Sequence, residues 1–250
     1  VTDAAAEIRQ QGAPRFSTGD PGAVPDRILG VVLAGGQGRR MGGAEKPLLP
    51  LAGVPMALRV AETLRAMTGA VVLATGHETA RYQAVVLPCL PDPLLPLTVA
   101  DEGRAGPLAG ILAGLEEAGR RGYGWVLTCP ADVPLVPPGL GAAMAAKLAS
   151  DAAVCSGVTV EAPAADGRLR WHPAIALLPV SLAADLRRAL TAGERRVGGW
   201  MQQAGVCRLQ WASPPEKSAG APDPFSNINT PDDLARAEAA LAARRGTECD

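Results

Sequence analysis

The chain predicts an α/β fold in one domain: a doubly wound, mostly parallel sheet covered by helices. Three observations carry this. Short apolar runs alternate with longer segments of helical spacing through the first half of the chain. The runs are continuously apolar, as strands buried on both faces are. The polar residues able to do chemistry fall just after those runs, where such sheets bind ligands.

Residues 28–33 form the first buried strand and run into Gly35 and Gly36. Residues 54–67 have helical spacing and stop near Gly69. Residues 70–74 form the second strand, ending at Thr75-Gly76. A short helix is expected over 78–83, a short strand over 84–87, a proline-rich loop over 88–96 and another short strand over 97–99. Pro107 opens a helix over 108–118, and 125–128 form the next strand. Gly35, Asp101 and Asp132 each follow a strand end, so all three are expected on one rim of the sheet.

A helix follows Pro138 to about residue 149. Strands over 152–160 and 171–177 flank a polar turn around Asp166-Gly167. Residues 182–190 are amphipathic and stop near Gly193, 197–203 form another helix and 206–210 a strand. Residues 212–226, rich in Pro, Ser and Ala, form a long loop. The last helix covers 232–243, with Thr230 as its N-cap and Pro231 at its first position. The domain thus spans 28–243. Residues 1–27, rich in Ala, Gly and Pro, are expected to be a disordered tail and 244–250 a short C-terminal tail.

The 250 residues are 48% hydrophobic, enough for a sizeable core, with a formal net charge of -1. That balance, without an arginine stripe interleaved with aromatics, argues against nucleic acid as a partner. No apolar run reaches the roughly 20 residues of a membrane span, and residues 1–27 lack the apolar centre of a secretory signal. The five cysteines are scattered, without C-x-x-C spacing, so reduced thiols in a cytoplasmic protein are expected rather than disulfides or a zinc site.

The segment Val31-Val32-Leu33-Ala34-Gly35-Gly36-Gln37-Gly38-Arg39-Arg40-Met41-Gly42-Gly43-Ala44-Glu45-Lys46 carries the most information. Glycines let a backbone turn tightly and bring N–H groups near an anion. Three cations follow in the same loop, which suits a polyphosphate. It is not a Walker A loop, because Lys46 is followed by Pro47, and not a dinucleotide fingerprint, because Met41 takes the last glycine position. Lys46 suits a phosphate as a compact charge, and Arg40 offers forked donors. Asp132, held between Pro130 and Pro134, suits a magnesium ion that takes its other ligands from substrate phosphates.

The pattern L-A-G-G-x-x-x-R-M-G-x-x-x-K at 33–46 resembles the nucleotidyltransferase family that includes molybdenum cofactor guanylyltransferases. Gly106-Pro107-Leu108-Ala109-Gly110, Cys129-Pro130-Ala131-Asp132-Val133-Pro134, Gly193-Glu194-Arg195-Arg196-Val197 and Asn227-Ile228-Asn229-Thr230-Pro231 resemble its further segments, in the family's order. The resemblance implies a three-layer α/β/α Rossmann-like nucleotidyltransferase fold, and transfer of GMP from GTP to molybdopterin with Mg²⁺ as cofactor. It implies Lys46, Arg40 and Asp132 as catalytic residues, with Asp132 also the metal ligand. Leu33, Ala34, Gly35, Gly36, Lys46, Thr75, Asp101, Gly106 and Asp132 would hold the nucleotide. Asn227 and Asn229 would hold molybdopterin, although asparagines there also suit a turn and a cap. Arg195 and Arg196 either meet the pterin phosphate or face water.

Within the resemblance, the sequence Ala-Gly-Gly at 34–36 goes with guanine and Ala-Ala-Gly with cytosine, since a methyl would crowd the wider purine; one methyl is worth only about 1–3 kcal/mol. The family's asparagine after the second strand is absent, and Thr75 or backbone groups are expected to substitute. His172, in Trp171-His172-Pro173, reads as structural or near the second substrate. Glu45 is expected to order the Lys46 loop rather than act as a base. A monomer is expected; molybdenum-insertion proteins and molybdoenzyme chaperones are the implied partners. The alternatives are a cytidylyltransferase using CTP and a non-catalytic protein that binds and delivers the nucleotide or cofactor.

Overall fold

The first strand, buried at every position, divides the molecule into layers. The structure is a computed structural model and describes residues 27–35, 45–76, 79–83, 85–95, 106–164, 167–212 and 223–247. The elements in order are β1 (Ile28–Leu33), β2 (Pro50–Leu51), β3 (Val54–Pro55), α1 (Met56–Arg65), β4 (Ala70–Ala74), β5 (Cys89–Leu90), α2 (Gly106–Arg120), β6 (Trp125–Pro130), α3 (Leu140–Ser150), β7 (Val158–Pro163), β8 (Leu169–Pro179), α4 (Ala183–Thr191), α5 (Val197–Gln203), β9 (Cys207–Gln210) and α6 (Pro231–Thr247). Ile28 and Val32 point into a core shared with α1 and α3, while Leu29, Val31 and Leu33 point into a second core under α2, α4 and α5. This is the expected three-layer arrangement, and it follows from the period-two geometry of a strand buried on both sides.

The seven-stranded sheet runs β5-β4-β1-β6-β8-β7-β9. β5, β4, β1 and β6 are mutually parallel and β7 is parallel to β9, whereas β8 is antiparallel to β6 and β7. The chain moves outward from β1 to β4 and later returns to β6 on the other side of β1. Winding therefore reverses between β1 and β6, and their carboxyl ends open a crevice of the kind that binds ligands. Glycines bring α2 close to this part of the sheet. A methyl on Gly114 would lie 2.7 Å from Val31 Cγ2, and one on Gly110 would lie 3.1 Å from Leu33 Cδ2.

Several expected boundaries move. The helix expected from residue 54 starts at Met56, because Val54-Pro55 pair with Pro50-Leu51 across a turn at Ala52 (φ 48) and Gly53 (φ 78). None of residues 85–87 is in a strand; Cys89–Leu90 pairs with β4 instead, an edge position where the surrounding prolines remove no needed donor. Residues 151–154 form a turn closing α3, with Val154 and Cys155 N–H both on the Asp151 carbonyl, so β7 starts only at Val158. The short helix expected over 78–83 is a 3-10 turn at Thr79–Tyr82, and the final helix runs on to Thr247. The strand expected over 97–99 and all but the last residue of the tail expected over 1–27 lie outside the described residues.

The cysteine reading is corrected at one pair. Cys155 and Cys207 form a disulfide with Cα atoms 5.4 Å apart. They are 52 residues apart in sequence, and the parallel pairing of β7 with β9, with Val158 opposite Cys207, brings them together. Spacing rules that look for local pairs do not see such a partner. Cys89 and Cys129 are free thiols.

Candidate active site

The crevice is built from the ends of β1 and β6. The Leu33 carbonyl accepts the Ala131 N–H at 2.9 Å, so the first glycine turn and the aspartate loop are joined directly. Asp132 follows β6 with its side chain 21% exposed. Its main-chain carbonyl accepts the Ile228 N–H at 2.9 Å, which pins the segment before α6 beside it. Ile228 is buried with Leu51, Met56, Leu135 and Ala237. Side chains two apart in an extended segment share a side, so with Ile228 turned into the core, Asn227 and Asn229 are left toward Asp132.

Lys46 completes the cluster. It sits on the 3-10 turn Lys46–Leu48, with buried Pro47 anchoring the loop. Its Nζ lies 2.5 Å from Asp132 Oδ2 and donates to Asn229 Oδ1 at 2.7 Å. Asn227 Nδ2 lies 3.5 Å from Asp132 Oδ2. Glu45 pairs with Arg81, which holds the entrance of the Lys46 loop as expected. Four of the expected site residues, Lys46, Asp132, Asn227 and Asn229, are thus in one place.

The remaining expected residues divide. Ala34 and Gly35 both donate their N–H groups to the Ala74 carbonyl, at 2.8 and 3.0 Å, so neither is open to an anion. The Ala34 carbonyl accepts from the Tyr82 hydroxyl at 3.1 Å. Thr75 is buried, its N–H and hydroxyl both turned to the Leu90 carbonyl at 3.0 and 3.3 Å; its side chain belongs to the sheet edge rather than to the cluster. Gly35 itself is exposed at the rim and Leu33 is buried below it. Gly106 opens α2 with φ +62, a conformation glycine adopts without strain. Gly36, Arg40 and Asp101 lie outside the described residues.

Beside the cluster, between β6, β8 and the segment before α6, is a cavity of about 530 Å³. Its walls include Arg170, Trp171, His172, Phe225, Asn227 and Asn229. The amides expected to meet a second substrate therefore face a space of ligand size. Sequence reasoning missed Asp233, whose Oδ2 accepts the N–H groups of Asn229 and Thr230, each at 2.9 Å. Those bonds, led by the Asn229 N–H, hold its carboxyl below the usual range. Thr230 Oγ1 in turn accepts the Asp233 N–H at 3.1 Å, bearing out Thr230 as the cap. The signal was in view: a threonine with an acid three residues on is the reciprocal capping spacing.

Two other groups are settled by their surroundings. Cys129 is buried, and burial pushes its thiol far above the ordinary range, with the nearby Asp132 charge adding to it. It is a packing thiol, not a nucleophile. Arg195 donates to the Leu190 and Glu194 carbonyls, each at 2.8 Å, and so closes the end of α4. Arg196 is largely exposed. Among the described residues no three His, Cys, Asp or Glu side chains gather into a metal-binding group, and no helix is long and apolar enough to cross a membrane.

A mixed sheet whose winding reverses beside a lysine–aspartate cluster, with a substrate-sized cavity next to it, suits a protein that joins a nucleotide to a second molecule, as a nucleotidyltransferase does. The comparisons with known proteins agree. Residues 30–206 match the family model described as a MobA-like NTP transferase domain. A molybdenum cofactor guanylyltransferase of Cereibacter sphaeroides is 39% identical over 217 residues, covering 86% of this chain and 97% of that protein. One from Cupriavidus pinatubonensis is 37% identical over 215 residues, covering 86% and 98%. The crystal structure of molybdopterin-guanine dinucleotide biosynthesis protein A from Archaeoglobus fulgidus shares the fold, with a TM-score of 0.62 at 24% identity over 86% of this chain and 99% of that one. This chain belongs to the molybdenum cofactor guanylyltransferase family.

Proposed function

We propose that this protein transfers GMP from GTP to molybdopterin, forming molybdopterin guanine dinucleotide and pyrophosphate. The observation that carries the reading is the Lys46 ammonium at the β1–β6 crevice, 2.5 Å from Asp132 and 2.7 Å from Asn229, beside the cavity. The nucleotide lies over the β1 and β4 ends, at Leu33 to Gly36, Gly106, Asp101 and the Thr75-Gly76 turn. Molybdopterin lies on the β8 side, with its phosphate at Asn227 and Asn229. The two halves of the domain then divide the two substrates between them.

The nucleophile is a phosphate oxygen of molybdopterin. A phosphate monoester has its second pKa near 6 and is largely dianionic at neutral pH, so no side chain has to remove a proton. That agrees with a cluster whose Asp132 carboxylate is paired with Lys46 rather than free to take a proton. The oxygen forms a bond to the α-phosphorus of GTP, and the bond from that phosphorus to the bridging oxygen of the β-phosphate breaks. The electron pair leaves on pyrophosphate. What the site must supply is relief of repulsion between two anions and their alignment. Lys46 is the described cation placed to do this, and we assign Arg40 to the same task.

The donor set at the crevice fits magnesium. Asp132 supplies one hard carboxylate oxygen and the neighbouring amides supply oxygens, while substrate phosphates commonly complete such a site. Asp132 would hold the ion, which when bound neutralises phosphate charge. Lys46, now on Asp132 Oδ2, would be the cation beside that ion for the substrate phosphates. Cytoplasmic GTP is the supply this reading implies, and the proteins that load molybdenum or receive the dinucleotide are the partners it implies.

The test is incubation of the purified protein with GTP, Mg²⁺ and molybdopterin, followed by mass detection of molybdopterin guanine dinucleotide. The dinucleotide and pyrophosphate are expected in equal amounts. A cytosine dinucleotide formed in preference when CTP competes with GTP would transfer the reading to the cytidylyl reaction. Absence of either product would overturn it.

A further inference from the structure

The cavity has a side that the proposed chemistry does not use. Pairing between β6 and β8 ends at Thr128 and Ala176, yet β8 continues to Leu169 beside β7 alone. The ladder between β7 and β8 shifts register between Thr159 opposite Ala176 and Val160 opposite His172. Residues 173–175 are therefore extra on β8, and such bulges re-aim side chains next to sites. Beyond the bulge, Arg170, Trp171 and His172 form a wall that rises past the end of β6.

This wall carries two polar groups without a use in the fold. His172 Nε2 is buried with no hydrogen-bond partner among the described residues, and its ring packs on Phe225 at 5.4 Å between centroids. Burial lowers the basicity of His172, outweighing the nearby Asp223, so the ring is neutral with one donor and one acceptor nitrogen. A buried polar atom left unpaired is costly, so each one asks for an explanation. Arg170 lines the cavity exposed, with no ion pair or hydrogen bond among the described residues. Trp171 is different: its indole N–H donates to Thr159 Oγ1 at 2.8 Å and Arg208 lies 4.1 Å over its ring. Its ring packs with the second core, against Gly198, on the opposite side of the sheet from His172 and Phe225.

We infer that the Arg170–His172 side of the cavity receives the heterocyclic head of molybdopterin, with His172 as the residue that reads its hydrogen-bonding edge. The inference rests on the reading that molybdopterin is the second substrate with its phosphate at Asn227 and Asn229. The phosphate must lie at the Lys46 cluster, and the nucleotide occupies the β1 and β4 side. The rest of the second substrate then extends away from β1, over β8. A pterin has two flat faces and an edge alternating donors and acceptors. A flat apolar wall with a few placed polar groups is what such a ring requires, and Phe225, His172 and Arg170 are that wall and those groups.

The test uses His172→Phe, which keeps a ring of similar size, His172→Gln, which returns one amide, and Arg170→Ala, an exposed change that leaves the core untouched. Binding is read by quenching of tryptophan fluorescence with two probes, molybdopterin and the phosphate-free 6-hydroxymethylpterin. The KM for GTP and the melting temperature are measured alongside. His172→Phe is expected to weaken both probes about tenfold, the loss of one hydrogen bond, with partial recovery in His172→Gln. Arg170→Ala is expected to weaken both severalfold, with the KM for GTP unchanged in every variant. Unmoved affinity for both probes in His172→Phe and Arg170→Ala would overturn the inference, as would a parallel rise in the KM for GTP. If the parent protein makes the dinucleotide while these affinities do not move, this placement alone is wrong. If the parent makes no dinucleotide, the reading beneath it falls.

Discussion

Gly35→Ala separates two jobs for one glycine, nucleotide selection and packing of strand ends. A Cβ at Gly35 would lie 3.2 Å from Gly76 N, 3.5 Å from Gly76 Cα and 3.6 Å from Thr75 C. All three are backbone atoms, so no side chain can swing aside. The turn they belong to is held on one side by the N–H groups of Ala34 and Gly35 on Ala74 and on the other by Asp92 N–H on the Gly76 carbonyl at 3.3 Å. Gly76 itself sits at φ +67. Ordinary contact requires the turn to retreat by a few tenths of an ångström. Overpacking of this kind costs about 1–2 kcal/mol, which lowers the melting temperature by roughly 2–8 °C in a domain of this size. A displaced nucleotide rim should also lower kcat/KM for GTP, since misplacement by as much as 1 Å costs about 10²-fold in rate. The assay is a melting curve with kcat/KM for GTP and for CTP. An unchanged melting temperature together with a tenfold or greater gain for CTP would refute the packing account and leave base selection as the role of Gly35.

Further expectations concern the cluster and the frame around it. Lys46→Ala should lower kcat about 10²–10³-fold, the scale for removing one electrostatic donor, and Lys46→Arg should not restore it because a planar fork cannot replace a point charge between Asp132 and Asn229; normal turnover in either variant would make Lys46 a bystander. Asp132→Ala should abolish Mg²⁺-dependent turnover, and activity equal to the parent at saturating Mg²⁺ would remove Asp132 as the metal ligand. Glu117 accepts from Arg120 and Arg121, which together draw its carboxyl from the ordinary 4.5 to about 2. Its folded pKa is below its unfolded one, so the unfolded chain binds more protons between these values. The stabilisation is present above about pH 4.5 and is lost as pH falls toward 2; Glu117→Gln should remove that part of the acid dependence of the melting temperature. Cys155→Ser should destabilise by about 3–4 kcal/mol on loop entropy, and a melting temperature insensitive to both this change and reductant would show that the disulfide does not form in solution.

Much of the architecture was legible because its signals are local. Residues 28–33 are apolar at every position and so must be buried on both faces. Thr230-Pro231 announces α6 through cap chemistry. The rim position of Asp132 follows from its place after β6. Boundaries moved where tertiary pairing overrode local pattern: Val54-Pro55 is taken by a hairpin, and the apolar stretch at 152–155 is spent on a turn. Thr75 could be read as a polar group at a strand end, but only the pairing with β5 shows its hydroxyl turned to Leu90.

By itself the sequence determined the layer order, the strand-end placement of Asp132 and the charged glycine loop, because periodicity, cap residues and turn chemistry act over a few residues. The family's motifs added the chemistry those positions serve. Only the tertiary structure decided that Lys46 meets Asn229 across 183 residues, that Cys155 reaches Cys207, and that His172 turns onto Phe225 beside a cavity. Those contacts depend on how sheet register and core packing bring distant segments together, and no short stretch of chain encodes that.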